Sequence, residues 1–141
     1  MQPGFVTAVL SALVLSFSPA IAGDPVMDAQ TVITGQIEAM RTQDAAKAYS
    51  FASPDIRGLF PDQNRFLAMV LKNYEPIYRA GNYAFGRSKL VGGGESVLQE
   101  VMISGREGKD WTAIYELRLQ GDGSYKVNGV RMLKNTESTG I

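Results

Sequence analysis

The feature that most constrains the fold of this chain is a change in its hydrophobic period near Asn82. Before this point, apolar residues recur at the four-then-three spacing of an amphipathic helix, as at Ile33, Ile37 and Met40. After it, apolar and polar residues alternate with a period of two, as in the segment 83–87, which is typical of a strand. Helices that precede the strands predict an α+β layer fold in which the helices cover one face of a sheet.

Capping residues divide the first half of the chain into helices. Asp24-Pro25 and Ser53-Pro54 each combine a capping side chain with a proline at the first helical position. Asp44 and Pro61-Asp62 predict two further helix starts. Pro76 is expected to end the last of these helices.

Turn residues divide the second half into strands. Gly92-Gly93-Gly94, the polar loop 105–109 and Gly121-Asp122-Gly123 separate the strand-like segments, which predicts an antiparallel sheet of about four strands. Gly129, inside the last segment, predicts a bulge or a bend. The helices must cover the face of this sheet that bears Trp111, Ala113, Tyr115 and Leu117. Strong curvature of the sheet would leave a conical cavity beneath the helices.

The first 22 residues have the layout of a secretory signal peptide. An uncharged apolar core over residues 5–17 is followed by Ser18-Pro19 and by small residues at Ala20 and Ala22, which signal peptidase accepts. This core is shorter than the ~20 residues that a membrane-spanning helix needs. We therefore expect cleavage after Ala22, a single periplasmic or secreted domain over residues 23–141, and no integral membrane span after cleavage. Because residues 1–5 contain no Lys or Arg, the alternatives are an uncleaved anchor and a misplaced start codon.

The composition excludes several kinds of chemistry. The 141 residues include no His and no Cys, so a Ser-His-Asp triad, a cysteine nucleophile, imidazole acid–base catalysis and the usual zinc sites are excluded. Lys and Arg together number 14, as do Asp and Glu, and a net charge of zero argues against a nucleic-acid partner. We therefore expect no catalytic residues, no metal and no cofactor.

Two stretches of the chain resemble known domains. In residues 122–133, a turn leads into an aromatic–x–aliphatic–x–Gly–aliphatic pattern, which is similar to the closing strand of nuclear-transport-factor-2-like (cystatin-like cone) domains. The second stretch resembles exported bacterial proteins of the domain of unknown function 4864 family. It consists of Phe51-Ala52-Ser53-Pro54-Asp55-Ile56, then Leu59-Phe60-Pro61, Phe66, Met69-Val70, Tyr74, Pro76 and Tyr78.

That family also has a signal peptide, a Gln-Glu-Val strand and a Trp-x-Ala-x-Tyr-x-Leu strand, which here are residues 99–101 and 111–117. The resemblance extends over residues 28–133, with Tyr125 where tryptophan is more usual. It implies that the helices pack on a curved sheet in a cone-shaped fold and that the protein is exported. It implies no reaction and no catalytic residues.

Aromatic residues indicate where a pocket for a small apolar or aromatic ligand is expected. Tyr74, Glu75 and Tyr78 cluster where the last helix meets the first strand, and phenols with a carboxylate at the mouth of a cone can orient such a ligand. The alternative is that both tyrosines are core residues whose hydroxyls reach water or the backbone. The residues predicted to line the pocket are Tyr74, Tyr78, Trp111, Tyr115 and Glu100.

Glu100 and Glu116 are the candidates for acid–base chemistry. A carboxylate inside an apolar cone would have a raised pKa and could act as a general base, as an Asp does in ketosteroid isomerases. The period of two instead places Glu116 on the face of Thr112 and Arg118, where cross-strand pairing with a Lys or Arg is expected.

Three functions follow from these observations. We favour a non-catalytic domain of an exported protein that binds a small ligand or another protein. One alternative is a small acid–base enzyme of the ketosteroid-isomerase type. The other is a structural or envelope-assembly protein that pairs through its exposed sheet face, for which we expect a homodimer.

Overall fold

The computed structural model describes residues 3–4 and 23–135, and in this part of the chain five helices precede a four-stranded sheet. The helices are α1 (Pro25–Arg41), α2 (Ala45–Ser50), α3 (Pro54–Leu59), α4 (Gln63–Asn73) and α5 (Glu75–Tyr78). The strands are β1 (Tyr83–Val91), β2 (Ser96–Ser104), β3 (Asp110–Leu119) and β4 (Tyr125–Lys134). The predicted α+β fold is confirmed. Residues 5–22 of the predicted signal peptide lie outside the described residues, as do residues 136–141.

The helices begin at the capping residues that the sequence indicates. Carboxylate or hydroxyl oxygens accept hydrogen bonds from the first backbone N–H groups of α1 to α4, and the capping residues are Asp24, Asp44, Ser53 and Asp62. The prediction for Pro76 is wrong in its detail. Helix α4 already ends at Asn73, and Pro76 lies in the first turn of α5, where a missing N–H leaves no hydrogen bond unmade. Over the described residues, no helix combines the length and the apolar character that a membrane span requires.

The sheet is a meander in the order β1-β2-β3-β4, and each neighbouring pair of strands is antiparallel. Two register shifts interrupt the pairing. One lies between Phe85 and Ser88 of β1, and the other lies in β4, where Asn128 is the extra residue between Val127 and Gly129. The second shift confirms the bulge predicted at Gly129. Bulges bend a strand and increase its twist locally.

The helices cover one face of the sheet, which we call the inner face. Ile33 and Ile37 of α1 are fully buried, and Tyr115 and Leu117 of β3 are at most 1% exposed. The β3 residues therefore face the helices as predicted, except that Trp111, at the start of the strand, is only half-buried. The opposite face, which we call the outer face, carries the intervening residues of each strand.

A buried glutamine connects α1 to the bulge of β1. Gln99 is fully buried, and its Nε2 donates hydrogen bonds to the carbonyls of Gly86 and Arg87, both at 3.3 Å. Its Oε1 accepts a hydrogen bond from Gln30 Nε2 at 3.2 Å. Because the bulge interrupts the regular pairing of β1 with β2, the Gln99 amide provides the donor that these two carbonyls would otherwise lack.

Candidate functional site

A cavity of about 370 Å³ lies between the helices and the inner face of the sheet. Buried residues form its inner end, whereas half-buried and exposed residues form its mouth between α3, α4 and β4. The buried lining residues are Gln36, Met40, Ala52, Phe66, Val70, Ile77, Tyr115 and Val127. The residues of the mouth are Ile56, Leu59, Phe60, Met69, Asn73, Tyr74, Gly129 and Val130.

Hydrogen bonds to β4 fix α3 beside the mouth of the cavity. The Ser53 N–H donates to the Val127 carbonyl at 2.8 Å, and the Val127 N–H donates to the Phe51 carbonyl at 2.8 Å. The Ser53 hydroxyl donates to Asn128 Oδ1, also at 2.8 Å, and accepts a hydrogen bond from the Ile56 N–H at the start of α3. The bulge of β4 is therefore the attachment point for the helix that forms one wall of the mouth.

The lining of this cavity is uncharged. Among the described residues that form it, the polar side chains are those of Gln36, Asn73, Tyr74 and Tyr115. The Gln36 amide donates to the Ala48 carbonyl at 3.2 Å, and the Asn73 amide donates to the Met69 carbonyl at 3.2 Å. Both amides are thus oriented by the backbone. A lining of this kind accommodates a neutral apolar molecule but offers no opposite charge to an ion.

Tyr115 differs from the other lining residues because its hydroxyl is buried and has no hydrogen-bond partner among the described residues. The residue is 1% exposed, and its hydroxyl has no hydrogen-bond partner among the residues that the structure describes. Burial, together with the nearby Tyr83, raises the pKa of Tyr115 well above its ordinary value, so the side chain is a neutral phenol at physiological pH. A buried hydroxyl without a partner costs roughly 1–3 kcal/mol. The fold therefore leaves this one buried hydroxyl without a hydrogen bond among the described residues.

The structure brings together two of the five residues predicted to line a pocket. Tyr74 lies at the mouth and Tyr115 at the inner end, whereas Tyr78 of α5 packs against the hydrophobic core without lining the cavity. Trp111 lies about 13 Å from Tyr115 along β3, at roughly 3.3 Å per residue. There it lines a second cavity of about 270 Å³ together with residues such as Asp110.

The prediction that Glu100 lines the pocket is corrected by the structure. Glu100 lies on the outer face, because its neighbours Gln99 and Val101 are the residues of β2 that face the helices. Its carboxylate accepts a hydrogen bond from the Arg87 N–H at 3.1 Å and lies 3.4 Å from the Arg87 guanidinium Nε. The Arg87 amide holds the pKa of this carboxyl below its usual value. A general base inside an apolar cone requires the opposite shift.

The second candidate acid also lies on the outer face. The carboxylate of Glu116 is 3.5 Å from the guanidinium of Arg118, which lies two residues along the same strand, so the pairing with an arginine is found within β3 and not across strands as expected. All Asp and Glu residues within 23–135 are half-buried or exposed, and none of them lines the larger cavity. This described part of the chain also contains no group of acidic side chains that could hold a metal ion.

Sequence reasoning missed several residues of the cavity. Gln36 is the most informative, because it lies three residues after Ile33 and next to Ile37, on the apolar stripe of α1. A polar residue on such a stripe is a signal that the sequence contains. Val130 of β4 carries no comparable signal, since its position at the mouth depends on the bulge at Asn128.

Comparison with known proteins identifies the family. The family model described as Domain of unknown function (DUF4864) matches residues 25–140. Since this match covers most of the chain, the protein belongs to that family. No curated protein and no solved structure gives a significant match. The nuclear-transport-factor-2-like architecture therefore stays a prediction.

Proposed function

We propose that this member of the DUF4864 family is an exported, non-catalytic protein that binds a small, neutral and mostly apolar molecule. The observation that carries the proposal is the cavity of about 370 Å³ between the helices and the inner face of the sheet. Its volume falls in the range of roughly 300–1,000 Å³ that is usual for small-molecule sites. Its lining is mostly apolar, with a few polar side chains that can fix the orientation of a ligand.

The chemistry of the lining favours binding over catalysis. Proton transfer from carbon needs a base within hydrogen-bond reach of the substrate, and the described lining residues include no carboxylate. The chain has no His or Cys to take that role. The Tyr115 phenol is unsuitable as well, because burial raises its pKa and keeps it protonated. An enzyme of the ketosteroid-isomerase type is therefore the less favoured proposal.

Export is supported by the layout of the first 22 residues, with their apolar core and the small residues Ala20 and Ala22. We expect the protein to be recovered from the periplasm or the medium with a mass that corresponds to a chain starting at Gly23. The measurement is the intact mass of the protein after cell fractionation. A full-length chain in the cytoplasm would contradict this part of the proposal.

Ligand binding can be tested with N-phenyl-1-naphthylamine, a neutral apolar dye whose fluorescence rises in apolar surroundings. We expect the protein to bind the dye saturably. Met69→Trp should block the mouth of the cavity and weaken binding at least tenfold, because Met69 of α4 is a mouth residue. Lys72→Trp is the matched control, since Lys72 is exposed on the same helix and does not line the cavity.

The proposal fails if the dye does not bind, or if both tryptophan variants bind it as the unmodified protein does. Circular dichroism of each variant must show that the fold is retained. Because both variants add an indole to α4, a loss confined to Met69→Trp locates the dye in the cavity.

Self-association through the outer face is a second candidate function. Met102 and Leu133, which are 47% and 39% exposed, lie on either side of Thr112 on this face. Glu100 and Arg131 flank Ile114 in the next row. A second copy rotated by 180° about an axis parallel to β3 would bring each glutamate toward an arginine and each methionine toward a leucine. Opposite charges and apolar side chains would then meet across the contact.

Sedimentation velocity over a range of protein concentrations tests this candidate. We expect a concentration-dependent dimer that Leu133→Lys weakens. Leu119→Lys is the matched control, because Leu119 is 42% exposed but belongs to the inner-facing series of β3. A monomer at all concentrations, or equal effects of the two substitutions, would contradict it.

A further inference from the structure

Gln36 places a polar side chain at the inner end of the cavity. The residue is 3% exposed and lies on the face of α1 that lines the cavity, one turn before Met40, which is another lining residue. We infer that the molecule bound there carries a neutral hydrogen-bond donor, a hydroxyl or an amide N–H, that donates to Gln36 Oε1. The inference rests on the proposed function and narrows the ligand from an apolar molecule to an apolar alcohol, phenol or amide.

The hydrogen bonds of the fold determine which atom of Gln36 remains for a ligand. Its Nε2 donates to the Ala48 carbonyl at 3.2 Å, and this bond fixes the amide, because the reverse orientation would place Oε1 against the carbonyl oxygen. Among the residues that the structure describes, no donor is bonded to Oε1. Within the same residues, the Tyr115 hydroxyl is the one buried side-chain N or O atom that lacks a partner and is also closed to water. Gln36 Oε1 is therefore open to water.

The opening at Oε1 leads into the cavity. Gln36 lies on the buried stripe of α1 beside Ile33 and Ile37, which are both fully buried. It lines the larger cavity and does not line the smaller one. The small surface that Gln36 exposes is thus the surface that it contributes to the larger cavity. Oε1 is a hydrogen-bond acceptor in a mostly apolar lining.

The chemistry of this acceptor selects a neutral donor. A ligand without a donor would displace water from Oε1 and leave the oxygen unpaired, which is costly in a buried site. An anion cannot donate to Oε1. An ammonium group can donate, but the described lining contains no carboxylate to replace its hydration. A hydroxyl or an amide N–H satisfies Oε1 without that cost.

Three probes of similar shape test the inference. A hydroxyl in 2-naphthol occupies the position of the methyl group in 2-methylnaphthalene, and 2-methoxynaphthalene carries an oxygen that can only accept. Their affinities are measured by displacement of N-phenyl-1-naphthylamine. Gln36→Met keeps the length of the side chain and removes its amide. In this variant the preference for 2-naphthol over 2-methylnaphthalene should fall about tenfold, because a buried hydrogen bond contributes roughly that factor.

Gln30→Met is the matched control for this substitution. Gln30 lies on the same helix, is half-buried and donates to Gln99 Oε1 at 3.2 Å, but it does not line the cavity. The same chemical change at this position should leave the preference for 2-naphthol unchanged. Circular dichroism of both variants must show that the fold is retained.

A spectroscopic measurement on the unmodified protein does not depend on the folding of Gln36→Met. In protein labelled with ¹³C and ¹⁵N at glutamine, 2-naphthol should shift the side-chain amide resonances of Gln36 more than 2-methylnaphthalene does. The two probes should have equal effects on the amide of Gln30. Equal shifts at Gln36 with the two probes would contradict the inference.

The outcomes separate the inference from the proposed function. If the probes bind but Gln36→Met leaves the preference for 2-naphthol unchanged, or Gln30→Met lowers it equally, the cavity is a binding site and the inference is wrong. If 2-methoxynaphthalene loses as much affinity as 2-naphthol in Gln36→Met, the contact is made by Nε2, and the inference is again wrong. If neither the dye nor the probes bind, the proposed function fails and the inference fails with it.

Discussion

Replacing Tyr115 by phenylalanine should make the ligand-free protein more stable. Phenylalanine keeps the ring, which is 1% exposed in the centre of the inner face, and removes only the hydroxyl. In the described structure this hydroxyl has no hydrogen-bond partner, so on folding it loses its hydrogen bonds to water and forms none within the protein. That loss of hydration costs roughly 1–3 kcal/mol. We therefore expect the free energy of unfolding to rise by about 1 kcal/mol or more.

Tyr125→Phe is the matched comparison for this substitution. Tyr125 lies in the same sheet, is 5% exposed and donates to the Gly94 carbonyl at 2.5 Å. Its loss of a hydroxyl removes a formed hydrogen bond, and stability should fall by about 1 kcal/mol. The same chemical change is thus expected to have opposite signs at two buried tyrosines.

The assay is urea unfolding at 25 °C, followed by far-UV circular dichroism and by the fluorescence of the single tryptophan. The protein should first be refolded from denaturant to remove any bound molecule, since a bound ligand would stabilise the folded protein. For a domain of this length, 1 kcal/mol corresponds to a shift in melting temperature of roughly 4 °C. If Tyr115→Phe destabilises the protein as much as Tyr125→Phe does, the Tyr115 hydroxyl has a partner within the fold and the reasoning is refuted.

Two further predictions concern polar groups around β2. Gln99→Leu should lower the free energy of unfolding by roughly 2–3 kcal/mol, because the carbonyls of Gly86 and Arg87 lose their donor. Gln30→Ala, which removes only the hydrogen bond to Gln99 Oε1, should lower it by less than about 1 kcal/mol. Urea unfolding of both variants measures the difference. Glu100→Gln should reduce stability at pH 7 but not well below pH ~4, since a carboxyl whose pKa is lowered by the Arg87 N–H stabilises the fold only while it is ionised. Unfolding at pH 7 and pH 3 tests this, and an equal effect at both values would contradict it.

The fold was predictable because its elements depend on local signals. The side chain of each capping residue accepts a hydrogen bond from an N–H group two or three positions away. The change of hydrophobic period at Asn82 marks where helices with one buried face give way to strands with one buried face. The error at Pro76 has the same origin. A proline is compatible with the start of a helix as well as with its end, and only the stop at Asn73 decides between the two.

The site was less predictable, because its shape depends on contacts between distant parts of the chain. The mouth lies where the Ser53 hydroxyl is hydrogen-bonded to Asn128, a residue 75 positions away in the sequence. Asn128 is the extra residue of a bulge in β4, and the only sequence signal for that bulge is the glycine at position 129. The error on Glu100 was avoidable in principle. The alternation of β2 already places Glu100 on the face of the sheet opposite to that of Val101. The period of two was therefore a better guide to its position than the possible catalytic role of a carboxylate.

The identity of residue 115 is not explained by the packing of the core. The position is buried among apolar side chains, where phenylalanine would fill the same space without an unpaired donor. By the same reasoning that predicts a more stable Tyr115→Phe variant, the tyrosine is a poor choice for folding alone.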